Sequence, residues 1–129
     1  MSQTREPFTL KKRLKSFRYA FAGIRNLLIY EHNSRILLLV AILAAILGIV
    51  LHISLWQWAV LAIVIFVVFI AEIFNSAIEN LADVVSPGYN DAIKRVKDYC
   101  AAAVLLASIM AAIAGILIFL PEIIRLLER

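Results

Sequence analysis

The sequence predicts an all-α membrane protein, with an N-terminal amphipathic helix on the bilayer surface followed by three helices that cross it. Three observations carry that reading. Of 129 residues 64% are hydrophobic, and the mean hydropathy is +0.93, too apolar for a water-soluble domain of this length. Three apolar runs are each long enough to cross a hydrocarbon slab of about 30 Å at 1.5 Å per residue. The cations gather outside those runs and only at alternate connections, as topology rules require of a multi-span chain. The length suits one compact unit, so residues 1–129 are read as a single membrane-embedded domain.

Residues 8–30 form the surface helix. Leu10, Leu14, Phe17, Phe21, Ile24 and Leu28 recur at alternating steps of four and three, the spacing of one helix face. Lys11, Lys12, Arg13, Lys15, Arg18 and Arg25 are interleaved with that stripe, and such a helix lies in the headgroup layer with its cations toward anionic lipid. The bilayer accounts for the basic cluster, and no nucleic-acid partner is expected. The first span covers 36–53. An uncharged connector at Ser54 follows, with Trp56 and Trp58 placed for an interfacial aromatic belt. The second span covers 58–83 and returns to the starting side. The third covers 97–120, its apolar run closed by Pro121, and Glu122 to Arg129 make a short amphipathic end.

Counting cations orients the chain. Eight of the thirteen Lys and Arg lie at or before Arg35 and three more, Lys94, Arg95 and Lys97, lie between spans two and three, while the other connector has none. The N-terminus and the second connector are therefore predicted to face the cytoplasm, and the C-terminus the outside.

The second span ends in AEIFNSAIENLAD, Ala71 to Asp83. Glu72, Asn75, Ser76, Glu79 and Asp83 fall on one stripe of that helix, while Ile73, Phe74, Ile78 and Leu81 keep the opposite face apolar. Ionisable groups this close to hydrocarbon mark function more often than packing, although Asn and Ser also serve as polar glue between helices. Glu72 and Glu79 lie two turns apart, about 10 Å along the axis. Glu79, at the surface, suits a Mg²⁺ ion held jointly with phosphate oxygens; Glu72, deeper, is placed to act as general base on a lipid hydroxyl.

The connector DVVSPGYNDAIKRVKD carries a turn signal at Ser86, Pro87 and Gly88, and Asn90 or Asp91 can cap the helix that restarts after it. It brings Lys97 and Asp98 to the same surface, where Lys97 can meet a nucleotide phosphate. These parts match phosphoryl transfer, which needs positioning and charge neutralisation, yet no Walker motif or kinase glycine-rich loop is present. A carboxylate-based ion or proton carrier is the alternative. Cys100 reads as a packing residue, and His32 and His52 as interface or loop residues.

EIFNSAIENLAD followed by KRVKDYCAAAVLLA resembles the signature of the small prokaryotic diacylglycerol kinase and undecaprenol kinase family, and the resemblance covers nearly the whole chain. It implies a homotrimeric helical bundle of three-span subunits in the inner membrane that transfers the γ-phosphate of MgATP to a lipid hydroxyl. On that resemblance Glu72 matches the catalytic base, with Asn75 supporting it. Glu31, in YEHNSR, and Glu79 match the carboxylates that hold Mg²⁺ with the nucleotide. Lys97 and Asp98 match a nucleotide-contacting pair, Gly88, Tyr89 and Asn90 its loop contacts, and Lys12 and Tyr19 its contacts on the surface helix, with Arg18 and Phe21 nearby. Lys12 stands where the enterobacterial type has Arg. The segments LKSFRYAFAGI, Glu-His-Asn and ILIFLPEI are more similar to the undecaprenol kinase branch, but both acceptors offer a primary hydroxyl, and the acceptor stays open between undecaprenol and diacylglycerol.

Overall fold

The computed structural model describes residues 10–128, with side chains from Leu14 onward. These residues form four helices: α1 Leu10–Tyr30, α2 His32–Val50, α3 Leu55–Val85 and α4 Asp91–Leu127. The last three are long and apolar enough to cross a membrane.

A single extended residue, Glu31, with φ −98° and ψ 114°, separates α1 from α2. The turn from α2 to α3 is closed by paired backbone bonds from His52 N to Ile49 O and from Ile53 N to Gly48 O. This is the glycine-type helix ending, with His52 in the left-handed region at φ 53°. Ser54 then starts α3 through a capping box: its hydroxyl accepts from Gln57 N at 3.3 Å while Gln57 Oε1 accepts from Ser54 N at 2.7 Å. Asn90 starts α4, its Oδ1 accepting from Ala92 N at 2.8 Å and Ile93 N at 3.3 Å, and Asp91 in the first turn complements the helix dipole.

The observed helices differ from the predicted spans at both ends of all three, α3 continuing to Val85 rather than 83 and α4 beginning at Asp91 rather than 97. The first crossing begins at His32 rather than residue 36 and stops at Val50 rather than 53, because Asn33, Ser34 and Arg35 are polar but helical and Leu51–His52 form the turn. The second helix starts at Leu55, where Ser54 supplies the cap. Pro121 does not end the third: α4 runs through it to Leu127. Proline removes only one helix bond and membrane helices tolerate that loss. Beyond it, Glu122 is anchored to α3 by Gln57 Nε2 at 3.1 Å and braced by Arg125.

Helices α3 and α4 pack as an antiparallel hairpin, with Ile53, Leu61 and Ile118 at the core and Trp58 and Phe119 against them. Gly48 lets α2 reach this hairpin, since a Cβ there would sit 2.9 Å from the Trp58 ring. Further along, α2 packs more loosely, leaving an apolar groove of about 300 Å³ lined by Leu37, Ala41, Leu61, Val68, Ala111 and Gly115. Helix α1 rests on α2 and α3. The outer faces are covered with exposed Leu, Ile and Phe, among them Leu39, Leu43, Phe66, Leu106 and Ile113, an exterior suited to hydrocarbon and not to water.

Candidate functional site

The polar stripe of α3 turns inward. Glu72 is 3% exposed and Ser76 6%, and Ser34 of α2 is 0% exposed; these are the three buried polar side chains of the described residues, and Glu72 is joined to α2 through Asn33. The opposite positions, Ile73, Phe74 and Leu81, are exposed. Amphipathic periodicity alone decides this: a stripe at i, i+3, i+4 and i+7 must face one way, and its apolar complement covers the outside.

Counted from Leu55 at 1.5 Å per residue, Glu72 lies about 26 Å along α3 and Glu79 about 36 Å along it. The two carboxylates are therefore about 10 Å apart along the helix axis.

Around Glu72 the hydrogen bonding is incomplete. Its Oε1 accepts from Asn33 Nδ2 at 3.0 Å, but Oε2 has no partner, and neither do the buried Ser34 Oγ and Asn75 Oδ1. Buried polar atoms are rarely left without partners, since each costs about 1–3 kcal/mol. Glu72 and Asn75 lie one turn apart on α3, so two of these atoms belong to the same face of that helix. Oε2 and Asn75 Oδ1 are acceptors, so the group each lacks is a hydrogen-bond donor.

Beside the junction lies an open cleft of about 620 Å³ between α1 and α3, lined on one side by Ala20, Gly23 and Glu31 and on the other by Ser76, Ala77 and Asn80. Asn80 Nδ2 is turned back onto Ser76 O at 2.7 Å. Glu31 therefore shares a cavity with the polar stripe although it caps no backbone group of α2. Glu79 is half-buried. Among the described residues no group of three His, Cys, Asp or Glu side chains forms a metal cage; a Mg²⁺ ion bound with a nucleotide needs only one or two carboxylates and takes its other ligands from phosphate and water. Glu31 and Glu79, hard oxygen donors with no hydrogen bond or ion pair among the described residues, fit that requirement.

At the connector end of the α3–α4 hairpin the predicted cation is already paired. Lys97 Nζ donates to Asp83 Oδ1 at 2.5 Å, and Asp98 accepts from Lys94 at 2.8 Å. The pairs are largely exposed and so contribute little to stability. In the connector, Tyr89 OH donates to Asp91 at 2.8 Å. That bond, with some burial and the field of Asp98, pushes the phenol above its ordinary range, keeping Tyr89 a donor. Gly88 has no positive φ and no neighbour that a Cβ would meet, so the fold itself does not demand glycine there.

Glu72, Asn75, Ser76 and Glu31 are therefore brought together, Asp83 and Lys97 pair at the end of the hairpin, and Gly88, Tyr89 and Asn90 form the loop beside them. Tyr19 is exposed on α1 with Lys15 Nζ 5.9 Å from its ring centre, and is not among the cleft residues. Lys12 lies on α1, its side chain outside the described residues. Asn33 and Ser34 were missed in the sequence. The one available signal was two polar residues opening an apolar helix, and nothing local connects them to Glu72.

Residues 18–119 match the family model described as prokaryotic diacylglycerol kinase. The chain is 36% identical over 115 residues to a diacylglycerol kinase of Synechocystis sp. (strain ATCC 27184 / PCC 6803 / Kazusa), covering 88% of this chain and 66% of that protein, just under two thirds of its length. It is 31% identical over 114 residues to an undecaprenol kinase of Bacillus subtilis (strain 168), covering 88% of this chain and 93% of that one.

Proposed function

We propose that this chain, which belongs to the prokaryotic diacylglycerol kinase family, is a lipid kinase that transfers the γ-phosphate of ATP to the hydroxyl of a membrane lipid alcohol. The observation that carries the reading is the buried Glu72 with one oxygen held by Asn33 and the other unpartnered beside Ser34 and Asn75. A hydroxyl arriving from the bilayer supplies the donor that this junction lacks.

In the reaction Glu72 Oε2 accepts the hydroxyl proton as the lipid oxygen forms its bond to the γ-phosphorus. The bond from that phosphorus to the β-phosphate oxygen breaks, and ADP leaves. Positioning provides most of the acceleration in such transfers. The cleft beside Glu31 and Ser76 receives the nucleotide side of the complex. Glu31 and Glu79 would hold Mg²⁺, which when bound neutralises charge on the phosphates. Lys97 exchanges Asp83 for a phosphate oxygen, and Gly88 lets the connector backbone approach the nucleotide. Tyr89, Asn90, Asp98, Lys12 and Tyr19 complete the proposed nucleotide contacts.

The reading further places the N-terminus and the site on the cytoplasmic side of the inner membrane, α1 in the headgroup layer and three copies in a bundle. Cation placement supports the orientation, because Lys94, Arg95 and Lys97 share an end of the molecule with Arg35, whereas the opposite end joins α2 to α3 without charge. The acceptor is undecaprenol or diacylglycerol, as the two relatives' names divide. A site built of hydroxyl-seeking atoms serves either. The test is turnover by purified protein in mixed micelles with MgATP, undecaprenol and diacylglycerol being assayed side by side. ATP-dependent formation of a lipid phosphate from at least one is expected; failure with both, in protein that remains assembled, refutes the reading.

A further inference from the structure

We propose that Asn33 is the positioning residue for the base: its side-chain amide ties down one oxygen of Glu72 so that the other is presented to the lipid hydroxyl. This rests on the reading of Glu72 as base and adds to it a residue from a different helix. Asn33 lies in the first turn of α2 and Glu72 in the middle of α3, 39 residues apart, yet Nδ2 and Oε1 are 3.0 Å apart. The direction of the amide is fixed by chemistry. With its oxygen toward Glu72 two acceptors would face each other, whereas the NH₂ group gives a charge-assisted bond.

A glutamate has three rotatable side-chain bonds, and a base that acts in a transfer reaction must be held within a fraction of an ångström. Nothing on α3 does this, since Glu72 receives no other side-chain hydrogen bond among the described residues. The hydrogen bond to Oε1 removes that freedom and divides the carboxylate into a fixed oxygen and a free one. The free Oε2 is buried and unpartnered, as is Asn75 Oδ1 one turn further along the same helix. The restraint on the base therefore comes from the first turn of α2. Glu31 precedes the same turn. The entry of α2 therefore sets base and cleft in register with each other.

Three variants at Asn33 test this beside Glu72→Gln. Asn33→Ala is expected to lower kcat about ten- to a hundredfold, the cost of a misplaced group, while KM for MgATP and for lipid stay within roughly twofold. Asn33→Asp has the same shape but no donor and a like charge, and should be at least as slow. Asn33→Gln keeps the NH₂ donor and should recover part of the rate lost in Asn33→Ala. A packing role predicts the reverse order, with Asn33→Asp near wild type and Asn33→Gln impaired, and that result overturns the proposal, as does an unchanged kcat in Asn33→Ala. Full turnover in Glu72→Gln would instead remove the base itself, so the two failures are told apart.

Discussion

Replacing Glu72 by Gln probes the site with the least disturbance to the fold. The variant has nearly the same shape, and Asn33 Nδ2 can go on donating to the side-chain oxygen as it does to Oε1 at 3.0 Å. The new NH₂ group then takes the place of Oε2, which has no partner, in a junction where Asn75 Oδ1 also lacks a donor. The substitution removes a buried charge and adds a donor where acceptors were unsatisfied, so stability is expected to hold or to rise. The proton acceptor is lost. General-base catalysis contributes about 10²- to 10⁴-fold, so turnover should fall by that factor, equivalent to about 3 to 5 kcal/mol in the barrier. The assay is ATP-dependent lipid phosphorylation in micelles, with melting followed in parallel by tryptophan fluorescence. Wild-type turnover in a folded variant refutes the assignment; a loss of turnover that tracks a lowered melting temperature refutes the claim that the role is chemical.

Gly48→Ala should destabilise the α2–α3 turn by about 1–3 kcal/mol, because the added Cβ meets the Trp58 ring at 2.9 Å; thermal melting in micelles reads it. Lys97→Met should raise KM for MgATP roughly tenfold, the worth of one bond to a charged group, whereas Asp83→Asn frees Lys97 and should leave that KM unchanged or lower, with stability altered by less than about 1 kcal/mol given the exposure of the pair. Glu31→Gln and Glu79→Gln should raise the Mg²⁺ needed for half-maximal rate more than they raise the KM for lipid, and equal effects on both would point to a fold defect. By ultraviolet titration, compared with Tyr89→Phe, the Tyr89 phenol should ionise above its ordinary value, and Asp91→Asn should bring it down, because acceptance by Asp91 is the largest cause of the shift.

The sequence made legible whatever repeats locally. Three apolar runs gave the long helices, and the spacing of Glu72, Asn75, Ser76 and Glu79 gave a face that the structure buries. Helix ends were less legible, because hydropathy reports the bilayer and not the backbone. Asn33, Ser34 and Arg35 are helical despite their polarity, and Pro121 lies within α4. Least legible were contacts across long separations. Asn33 meets Glu72 at a separation of 39 residues and Gln57 meets Glu122 at 65, and neither pair belongs to any periodic pattern. Glu31 had no local signal and entered only through resemblance to a family; the cleft it shares with Ser76 and Asn80 now gives it a physical setting.

The placement of polar groups also separates the competing uses of a buried carboxylate. A stripe that served only to hold helices together would satisfy its own atoms across the junction, yet Glu72 Oε2, Asn75 Oδ1 and Ser34 Oγ are left without partners where α2 meets α3. An ion carrier needs polar groups on both sides of its buried carboxylate, a path in and a path out. On the side away from the connector, the inward positions of α3 before Glu72 are Val68, Val64 and Leu61, all buried, in a groove whose one hydroxyl among the described lining residues is Ser108. A buried carboxylate with one free oxygen, flanked by an apolar run on the side away from the connector, suits the hydroxyl of a lipid better than a conducted ion.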